Sequence, residues 1–199
     1  MTTPAKSLSR RSANSRQQLL KASIESFVTT GYHATTTREI AQKAGLSPAA
    51  MYVHFSSKQD LLFELIEHGH HEAYRALADA IQQADGPREA LRAAVYAFTE
   101  WHATNHRLGR IAQYEFQYLT PENRARIAHI RKAIDASLRT ILQDGARTGA
   151  LSVPNVRLTA LAILSLCIDL VRWFPSRMHS DPQEIASNYA DIASRMAGI

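Results

Sequence analysis

The segment Thr35–Lys58 carries the signals for two helix starts and one sharp turn close together in the chain. Thr36 and Glu39 have the spacing of a capping box, in which two residues bind each other's backbone amides at the start of a helix. Gly45 is suited to end that helix in a left-handed conformation, and the Ser-Pro pair at 47–48 is typical of a new helix start. The order helix, short turn, helix limits what this part of the chain can fold into.

A third helix start follows at once, because Ser57 and Asp60 repeat the capping spacing. Two short helices joined by such a turn are typical of the DNA-binding helix-turn-helix, whose second helix lies in the major groove. The formal net charge is +5, and residues 1–58 hold eight Lys and Arg against two Asp and Glu, whereas residues 59–199 hold fifteen against sixteen. This concentration of positive charge favours DNA as the partner of the helix-turn-helix.

The same segment resembles the N-terminal signature of the TetR family of bacterial transcriptional regulators. That signature reads G-[YF]-x-x-T-T-x-x-x-I-A-x-x-A-G-[VL]-S-x-[GA]-x-[LM]-Y-x-[HY]-F-x-[SN]-K-x-x-L, and the chain matches it from Gly31 to Leu61, with Ala49 where many members have glycine. The resemblance implies an all-α subunit of nine helices, a ligand cavity in the helical body, and a homodimer formed by the last two helices. The segment Val171-Arg172-Trp173-Phe174-Pro175 and the Asp-Pro-x-Glu-Ile-Ala start of the last helix resemble family regulators of fatty-acid and steroid catabolism, some of which respond to CoA thioesters.

The candidate DNA-binding residues lie on the two helices of the motif and just after it. Ala49 and Ala50 are small enough to approach thymine methyl groups, and Arg38 is placed to reach a guanine edge or a phosphate. Lys58, in the first turn of the next helix, suits a phosphate. The full candidate set is Thr35, Thr36, Arg38, Ser47, Pro48, Ala49, Ala50, Tyr52, His54 and Lys58.

Three segments are predicted, namely a flexible basic arm (1–12), the helix-turn-helix domain (13–58), and an effector-binding and dimerisation domain (59–199). The arm contains Lys6, Arg10 and Arg11 and has no hydrophobic periodicity, so it should be unstructured when free. Its charges either contact DNA or merely keep the protein soluble. A first helix from about Asn14 to Thr30 should pack over the helix-turn-helix.

Beyond the motif, apolar residues recur at helical spacing, and no strand pattern is found. Helices are expected near 58–83, 87–104, 108–119, 121–148, 158–171 and from 182 onward. Residues 158–171 read LTALAILSLCIDLV, which is apolar nearly all round, so this helix should be buried on two sides. We expect a second copy of the chain to cover the outer side. The candidate dimer-interface residues are Leu161, Leu164, Ile168, Ile185 and Tyr189.

Aromatic residues in the middle helices either fill the core or line a cavity for an apolar effector. An amphipathic molecule is expected, with an acyl-CoA thioester as the specific candidate from the resemblance of the C-terminal half. Arg172 would then meet the CoA phosphates and Trp173 would stack on the adenine. Alternatively, Arg172 pairs with Asp169 and Trp173 fills the dimer seam. The candidate ligand-binding residues are Phe98, Trp101, Tyr114, Phe116, Leu138, Leu142, Arg172, Trp173 and Arg177.

Other functional classes have little support in the sequence. Cys167 is the single cysteine and lies in an apolar run, which argues against a disulfide framework or a cysteine-ligated metal. His68 and His71 have a possible metal-ligand spacing but no partner ligands, so no metal and no cofactor are expected. The N-terminus lacks a secretory signal, and no apolar run approaches the ~18 residues that span a bilayer, which favours the cytoplasm and no membrane contact.

No arrangement of catalytic side chains and no glycine-rich phosphate loop occurs in the sequence, so an enzyme is not expected. An enzyme built on a helical bundle and a helical adaptor for another protein are the alternatives. The expected function is that of a ligand-responsive transcriptional repressor. It should bind a palindromic DNA operator as a homodimer and be released by a small amphipathic effector.

Overall fold

The computed structural model describes residues 4–174 and 181–198, with side chains from residue 12 onward. Within these ranges the chain forms nine α-helices and no strand, which confirms the expected all-α fold. A 3₁₀ turn, Phe116–Tyr118, lies between the sixth and seventh helices. The helices are α1 (Pro4–Thr30), α2 (Thr37–Lys43), α3 (Pro48–His54), α4 (Lys58–Gln82), α5 (Pro87–Thr104), α6 (His106–Tyr114), α7 (Pro121–Thr148), α8 (Val156–Trp173) and α9 (Pro182–Met196).

The first helix is longer than its hydrophobic pattern indicated. It begins at Pro4 and not near Asn14, so residues 4–12, expected to be an unstructured arm, continue the helix. Proline is favourable in a first helical turn, and the Ala, Lys, Leu and Arg that follow have high helix propensity. A helix anchored by the buried Leu19 and Phe27 can therefore extend toward the N-terminus through these residues. The side chains of residues 4–11 lie outside the described part, and DNA contact by them stays a prediction.

Local capping chemistry builds the helix-turn-helix as the sequence indicated. Thr36 and Glu39 form both hydrogen bonds of the capping box at the start of α2. Gly45 adopts φ 70° after α2, in the left-handed region, and Ser47 accepts a hydrogen bond from the Ala50 amide at the start of α3. The turn fixes α3 across α2, and Met51 on its inner face is completely buried.

The remaining helices form one body, in which α5 is central and contacts α4, α7, α8 and α9. The helix α4 belongs to both halves, since its start follows α3 directly and its later turns pack against α5, α6 and α7. The helix expected over 108–119 is divided into α6 and the 3₁₀ turn. Thr120 precedes Pro121, and a residue before proline disfavours the helical conformation, so the chain must leave α6 before α7 can begin. None of the described helices is both long and apolar enough to cross a membrane.

Candidate DNA-binding surface and ligand cavity

The outer face of α3 presents apolar and aromatic side chains to solvent. Val53 is 79% exposed and Tyr52 is 56% exposed, whereas Met51 and Phe55 are buried on the inner side of the helix. Val53 and Tyr52 together form an exposed apolar and aromatic surface beside the predicted DNA-binding residues. Val53 was not among the predicted residues, although its position four residues after Ala49 places both on the same helical face.

Most of the predicted DNA-binding residues lie on this exposed side. Arg38 is exposed and makes no hydrogen bond or ion pair within the described part of the chain. The hydroxyls of Tyr52 and Thr37 are 3.2 Å apart, which orients the Tyr52 ring between α2 and α3. Thr36, Ser47, Pro48 and Ala49 are exposed, and Ala50 and His54 are half-buried. DNA contact by these residues stays a prediction.

Thr35 does not fit the predicted role of a phosphate ligand, because it is only 1% exposed. Its hydroxyl lies 2.7 Å from the Gly31 carbonyl and donates to it, with the Ser26 carbonyl further away at 3.3 Å. Burial of a hydroxyl is tolerated where it is hydrogen-bonded in this way. Thr35 therefore closes the turn between α1 and α2 and does not face DNA.

Lys58 also differs from its predicted role. Its ammonium donates hydrogen bonds to the carbonyls of Tyr32 at 2.7 Å, Thr35 at 2.8 Å and His33 at 3.3 Å. The ammonium lies 4.3 Å from the centroid of the Tyr32 ring, and burial lowers the pKa of Lys58 while the Glu39 carboxylate acts against that shift. All three N–H groups are engaged, so Lys58 joins the start of α4 to the turn between α1 and α2.

The body touches the DNA-binding domain at this same turn. Tyr118, the last residue of the 3₁₀ turn, stacks on Tyr32 with ring centroids 5.4 Å apart and planes 15° apart. The His33 ring meets Tyr118 edge-on at 4.2 Å, and the Gln59 side chain donates to the Tyr118 carbonyl at 2.8 Å. The 3₁₀ turn therefore makes one of the contacts between the two halves, beside Lys58, and the packing of α1 against α6 makes another.

A cavity of about 690 Å³ lies in the body, lined by α4, α5, α6, α7 and α8 and partly open to solvent. Its wall is mostly apolar, and its size is in the range of small-molecule sites. Gly109 brings α6 close to α8, since a Cβ at Gly109 would come within 2.7 Å of Val171. The residues that line the cavity are Gly69, His70, Ala73, Phe98, Trp101, His102, Gly109, Ala112, Gln113, Tyr114, Arg131, Ile134, Asp135, Leu161, Leu164, Ser165, Ile168, Asp169, Val171 and Arg172.

Four of the nine predicted ligand-binding residues line this cavity, namely Phe98, Trp101, Tyr114 and Arg172. Arg172, however, donates two hydrogen bonds of 2.8 Å to Asp169, which matches the alternative interpretation of this residue. Of the other five, the four described residues do not line it. Leu138 and Leu142 are buried in the core on another side of α7, and the Phe116 ring lies under the guanidinium of Arg131. Trp173 packs against the cluster of Ala103, Leu170, Phe174 and Ile185. Arg177 lies outside the described residues.

The predicted dimer-interface residues are in different surroundings within the subunit. Leu161, Leu164 and Ile168 line the cavity, and Leu161 is also 57% exposed. Ile185 is only 4% exposed, and Tyr189 is half-buried. An all-round apolar helix gives no sign of which side faces a cavity and which faces a partner, and partner contact by these residues stays a prediction.

Three polar residues of the cavity wall, His70, His102 and Arg131, were missed. Burial lowers the pKa of both histidines to about 4 and also lowers that of Arg131. The Nδ1 atom of His102 lies 2.7 Å from the Phe98 carbonyl, so Nδ1 carries the proton of a neutral ring. Arg131 follows Ile127 by one helical turn, so the apolar stripe of α7 could have shown that its base faces inward. No group of three or more potential metal-binding side chains occurs among the described residues.

Two family models match the chain, one described as bacterial regulatory proteins, tetR family, over residues 19–65, and one as Tetracyclin repressor-like, C-terminal domain, over residues 84–197. The HTH-type transcriptional activator FasR of Mycolicibacterium smegmatis is 30% identical over 159 residues, which cover 80% of this chain and 71% of FasR. A tetR-family regulatory protein from Rhodococcus RHA1 has a crystal structure that is 40% identical, with a TM-score of 0.87 and coverage of 92% of this chain and 97% of that one. The structure of AibR in complex with isovaleryl coenzyme A and operator DNA shares the fold, with 22% identity, a TM-score of 0.79, and coverage of 89% and 97%.

The contacts of Lys58 and Arg38 predict that removing the first charge lowers stability, whereas removing the second lowers the salt dependence of DNA binding. Lys58→Met should lower the free energy of unfolding by about 1–3 kcal/mol, because three carbonyls lose a charged donor. Its affinity for a duplex selected by the wild-type protein should fall without a change in the salt dependence of binding. Arg38→Met should keep the free energy of unfolding within about 0.5 kcal/mol of the wild-type value. It should reduce the slope of the logarithm of the DNA-binding constant against the logarithm of salt concentration by about 0.9. Urea unfolding and fluorescence anisotropy at several salt concentrations measure both quantities, and an equal loss of slope in Lys58→Met would contradict the assignment.

The buried histidines predict a loss of stability in acid. Unfolded His102 takes up a proton near pH 6.5, whereas the folded residue does so only near its lowered pKa of about 4. The unfolded state thus binds more protons between these values, and the free energy of unfolding falls as pH falls through them. His102→Asn keeps a donor for the Phe98 carbonyl but cannot titrate. The free energy of unfolding of this variant should therefore fall between pH 7 and pH 5 by about 2 kcal/mol less than that of the wild type. Urea midpoints at both pH values test this, with His68→Asn, on an exposed histidine, as the control that keeps the full loss.

Proposed function

Because the chain belongs to the TetR family of bacterial transcriptional regulators, we propose that it binds a palindromic operator as a homodimer and is released by an amphipathic acyl compound. The observation that carries this proposal is the position of the cavity. Its wall includes α6, and the 3₁₀ turn after α6 stacks on the DNA-binding domain at Tyr32. A ligand in the cavity therefore lies next to α6, and the 3₁₀ turn that follows α6 contacts the DNA-binding domain. Family membership also confirms the expectation that the protein is a regulator and not an enzyme.

An acyl chain suits the apolar part of the cavity wall, which includes Phe98, Trp101 and Leu164. Each methylene buried there contributes about 0.8 kcal/mol to binding. The exposed lining residues Tyr114 and Arg172 mark the mouth of the cavity, where the polar part of a CoA thioester would remain in solvent. The presence of isovaleryl coenzyme A in the AibR structure supports a CoA thioester as the effector of this chain.

The homodimer is supported by apolar side chains left exposed on the last two helices. Leu158 on α8 is 59% exposed, and Met196 on α9 is 37% exposed. Ala162 is exposed one helical turn after Leu158, and Ile192 is half-exposed one turn before Met196. We propose this face, defined by Leu158, Ala162, Ile192 and Met196, as the dimer interface. A homodimer carries two α3 helices, which is the number that the two half-sites of a palindromic operator require.

The proposed interface predicts a dimer that one charge disrupts. The wild-type protein should sediment as a dimer at micromolar concentration, and Leu158→Glu should weaken dimerisation at least about 100-fold, since two copies of the leucine lose their burial. Val53→Glu introduces the same charge at an exposed apolar residue on α3 and should leave the dimer intact while weakening DNA binding. Analytical ultracentrifugation measures both, and a wild-type monomer would contradict the proposed assembly.

The proposed effector predicts release of DNA by CoA esters. Acyl-CoAs of a suitable chain length should lower affinity for the selected duplex by about 10–100-fold, a usual size for coupling between two sites. Leu164→Trp, which fills part of the cavity, should still bind DNA and respond less. Titration of the complex with acyl-CoAs of several chain lengths, free fatty acids and cationic dyes decides between ligand classes. Release by dyes with no effect of any CoA ester contradicts the proposal, and tighter DNA binding with ester identifies an activated regulator.

A further inference from the structure

Four charged side chains line the cavity, and three of them already have ion-pair partners. Asp169 pairs with Arg172 at 2.8 Å, and Asp135 lies 3.6 Å from Arg139, which is outside the cavity wall. Arg131 has no carboxylate oxygen within 4.0 Å among residues 12–174 and 181–198. Its positive charge is therefore left to be balanced by water or by whatever occupies the cavity.

The guanidinium of Arg131 is held in a fixed orientation. His70 Nδ1 lies 2.8 Å from the Ile66 carbonyl, which can only accept, so Nδ1 carries the proton and Nε2 accepts from Arg131 Nε at 3.0 Å. The Nη2 atom of Arg131 donates to the Ala112 carbonyl at 3.3 Å, and the guanidinium carbon lies 4.3 Å from the centroid of the Phe116 ring. The two N–H groups of Nη1 make no hydrogen bond in the described structure and are free to donate to a ligand.

Arg131 lines the cavity but is exposed, so its free N–H groups are accessible both to water and to an entering ligand. Water can bind these N–H groups while the cavity is empty, and an occupant that covers them displaces that water. A hydrocarbon would leave charged donors unsatisfied, and a cation would be repelled, whereas an acyl oxygen accepts a charge-assisted hydrogen bond. The apolar residues around Arg131 accommodate the rest of an amphipathic acyl compound, so the cavity combines one charged hydrogen-bond donor with a mostly apolar wall.

We propose that Arg131 binds the acyl oxygen of the effector, either the carboxylate of a free acid or the carbonyl of its thioester, with His70 as a positioning residue. This assignment rests on the function proposed above and names the polar group that holds the ligand. The acyl chain then lies along Trp101 and Leu164. The polar end of the ligand lies beside Phe116, at the start of the 3₁₀ turn that reaches the DNA-binding domain.

Isothermal titration calorimetry of wild-type protein and Arg131→Met with dodecanoate, dodecanoyl-CoA and 1-dodecanol tests the assignment. The variant should bind the acid or the ester about 10–100-fold more weakly, while the affinity for the alcohol changes less than about 2-fold. Arg126→Met is the matched control, because Arg126 also lies on α7, stacks on the Phe63 ring at 4.7 Å and pairs with Glu67, but does not line the cavity. It should bind all three ligands as the wild type does.

Arg131→Lys keeps the charge and the aliphatic stem, so it remains informative if Arg131→Met does not fold. It lacks the planar fork and should bind acyl ligands at least about 5-fold more weakly, with no change for the alcohol. His70→Leu should weaken acyl binding selectively, and His70→Gln, whose amide oxygen can accept from Arg131, should restore part of it. A purely structural role of His70 would instead reduce binding of all three ligands equally, and would overturn its positioning role.

The outcomes separate this assignment from the function on which it rests. If the wild-type protein binds neither dodecanoate nor dodecanoyl-CoA, the acyl effector and the role of Arg131 both fail. If the wild type binds either acyl ligand and both Arg131 variants bind it with equal affinity, the assignment of Arg131 fails alone. The acyl ligand with the larger sensitivity to Arg131 identifies whether a carboxylate or a thioester carbonyl occupies the site.

Discussion

The position of the DNA-binding surface depends on the ammonium of Lys58 and the three carbonyls around it. These hydrogen bonds hold the first turn of α4 against the turn between α1 and α2, with Tyr32 covering the charge. The capping box of α2 begins immediately after Thr35, one of the three acceptors, so the orientation of α2 follows from this contact. The α3 helix is fixed in turn by the short connection at Gly45. One charged group thus joins the turn before α2 to the helix that continues into the body, beside the buried core of the domain.

A continuous set of contacts leads from the cavity to this turn. Arg131 on the cavity wall touches the carbonyl of Ala112 and the ring of Phe116, and Phe116 begins the 3₁₀ turn that ends at Tyr118. Tyr118 stacks on Tyr32 beside the Lys58 ammonium. Contacts alone do not demonstrate coupling, which requires an element with two arrangements that both sites bias. The 3₁₀ turn is suited to be that element, since it is short and connects the contact of Arg131 with Phe116 to the contact of Tyr118 with Tyr32.

The sequence was sufficient to predict the helix-turn-helix because the chemistry that builds it is local. Thr36 and Glu39 bind within one helical turn, and the conformation of Gly45 depends on its own missing side chain. Two of the errors concern side chains whose partners are distant in the chain. Lys58 binds carbonyls 23 to 26 residues earlier, and Arg131 meets His70 across 61 residues, so neither contact leaves a local pattern.

Linkage places a further requirement on the cavity. If an effector lowers operator affinity by some factor, the operator lowers effector affinity by the same factor, so the ligand must bind the two states of the protein differently by about 1–3 kcal/mol. Apolar contacts along the acyl chain change little when a wall residue shifts slightly, because dispersion and burial are weakly directional. Hydrogen bonds weaken steeply with angle and distance. The guanidinium of Arg131, shared among His70, Ala112, Phe116 and the ligand, is therefore the cavity group most able to distinguish the DNA-bound arrangement from the released one.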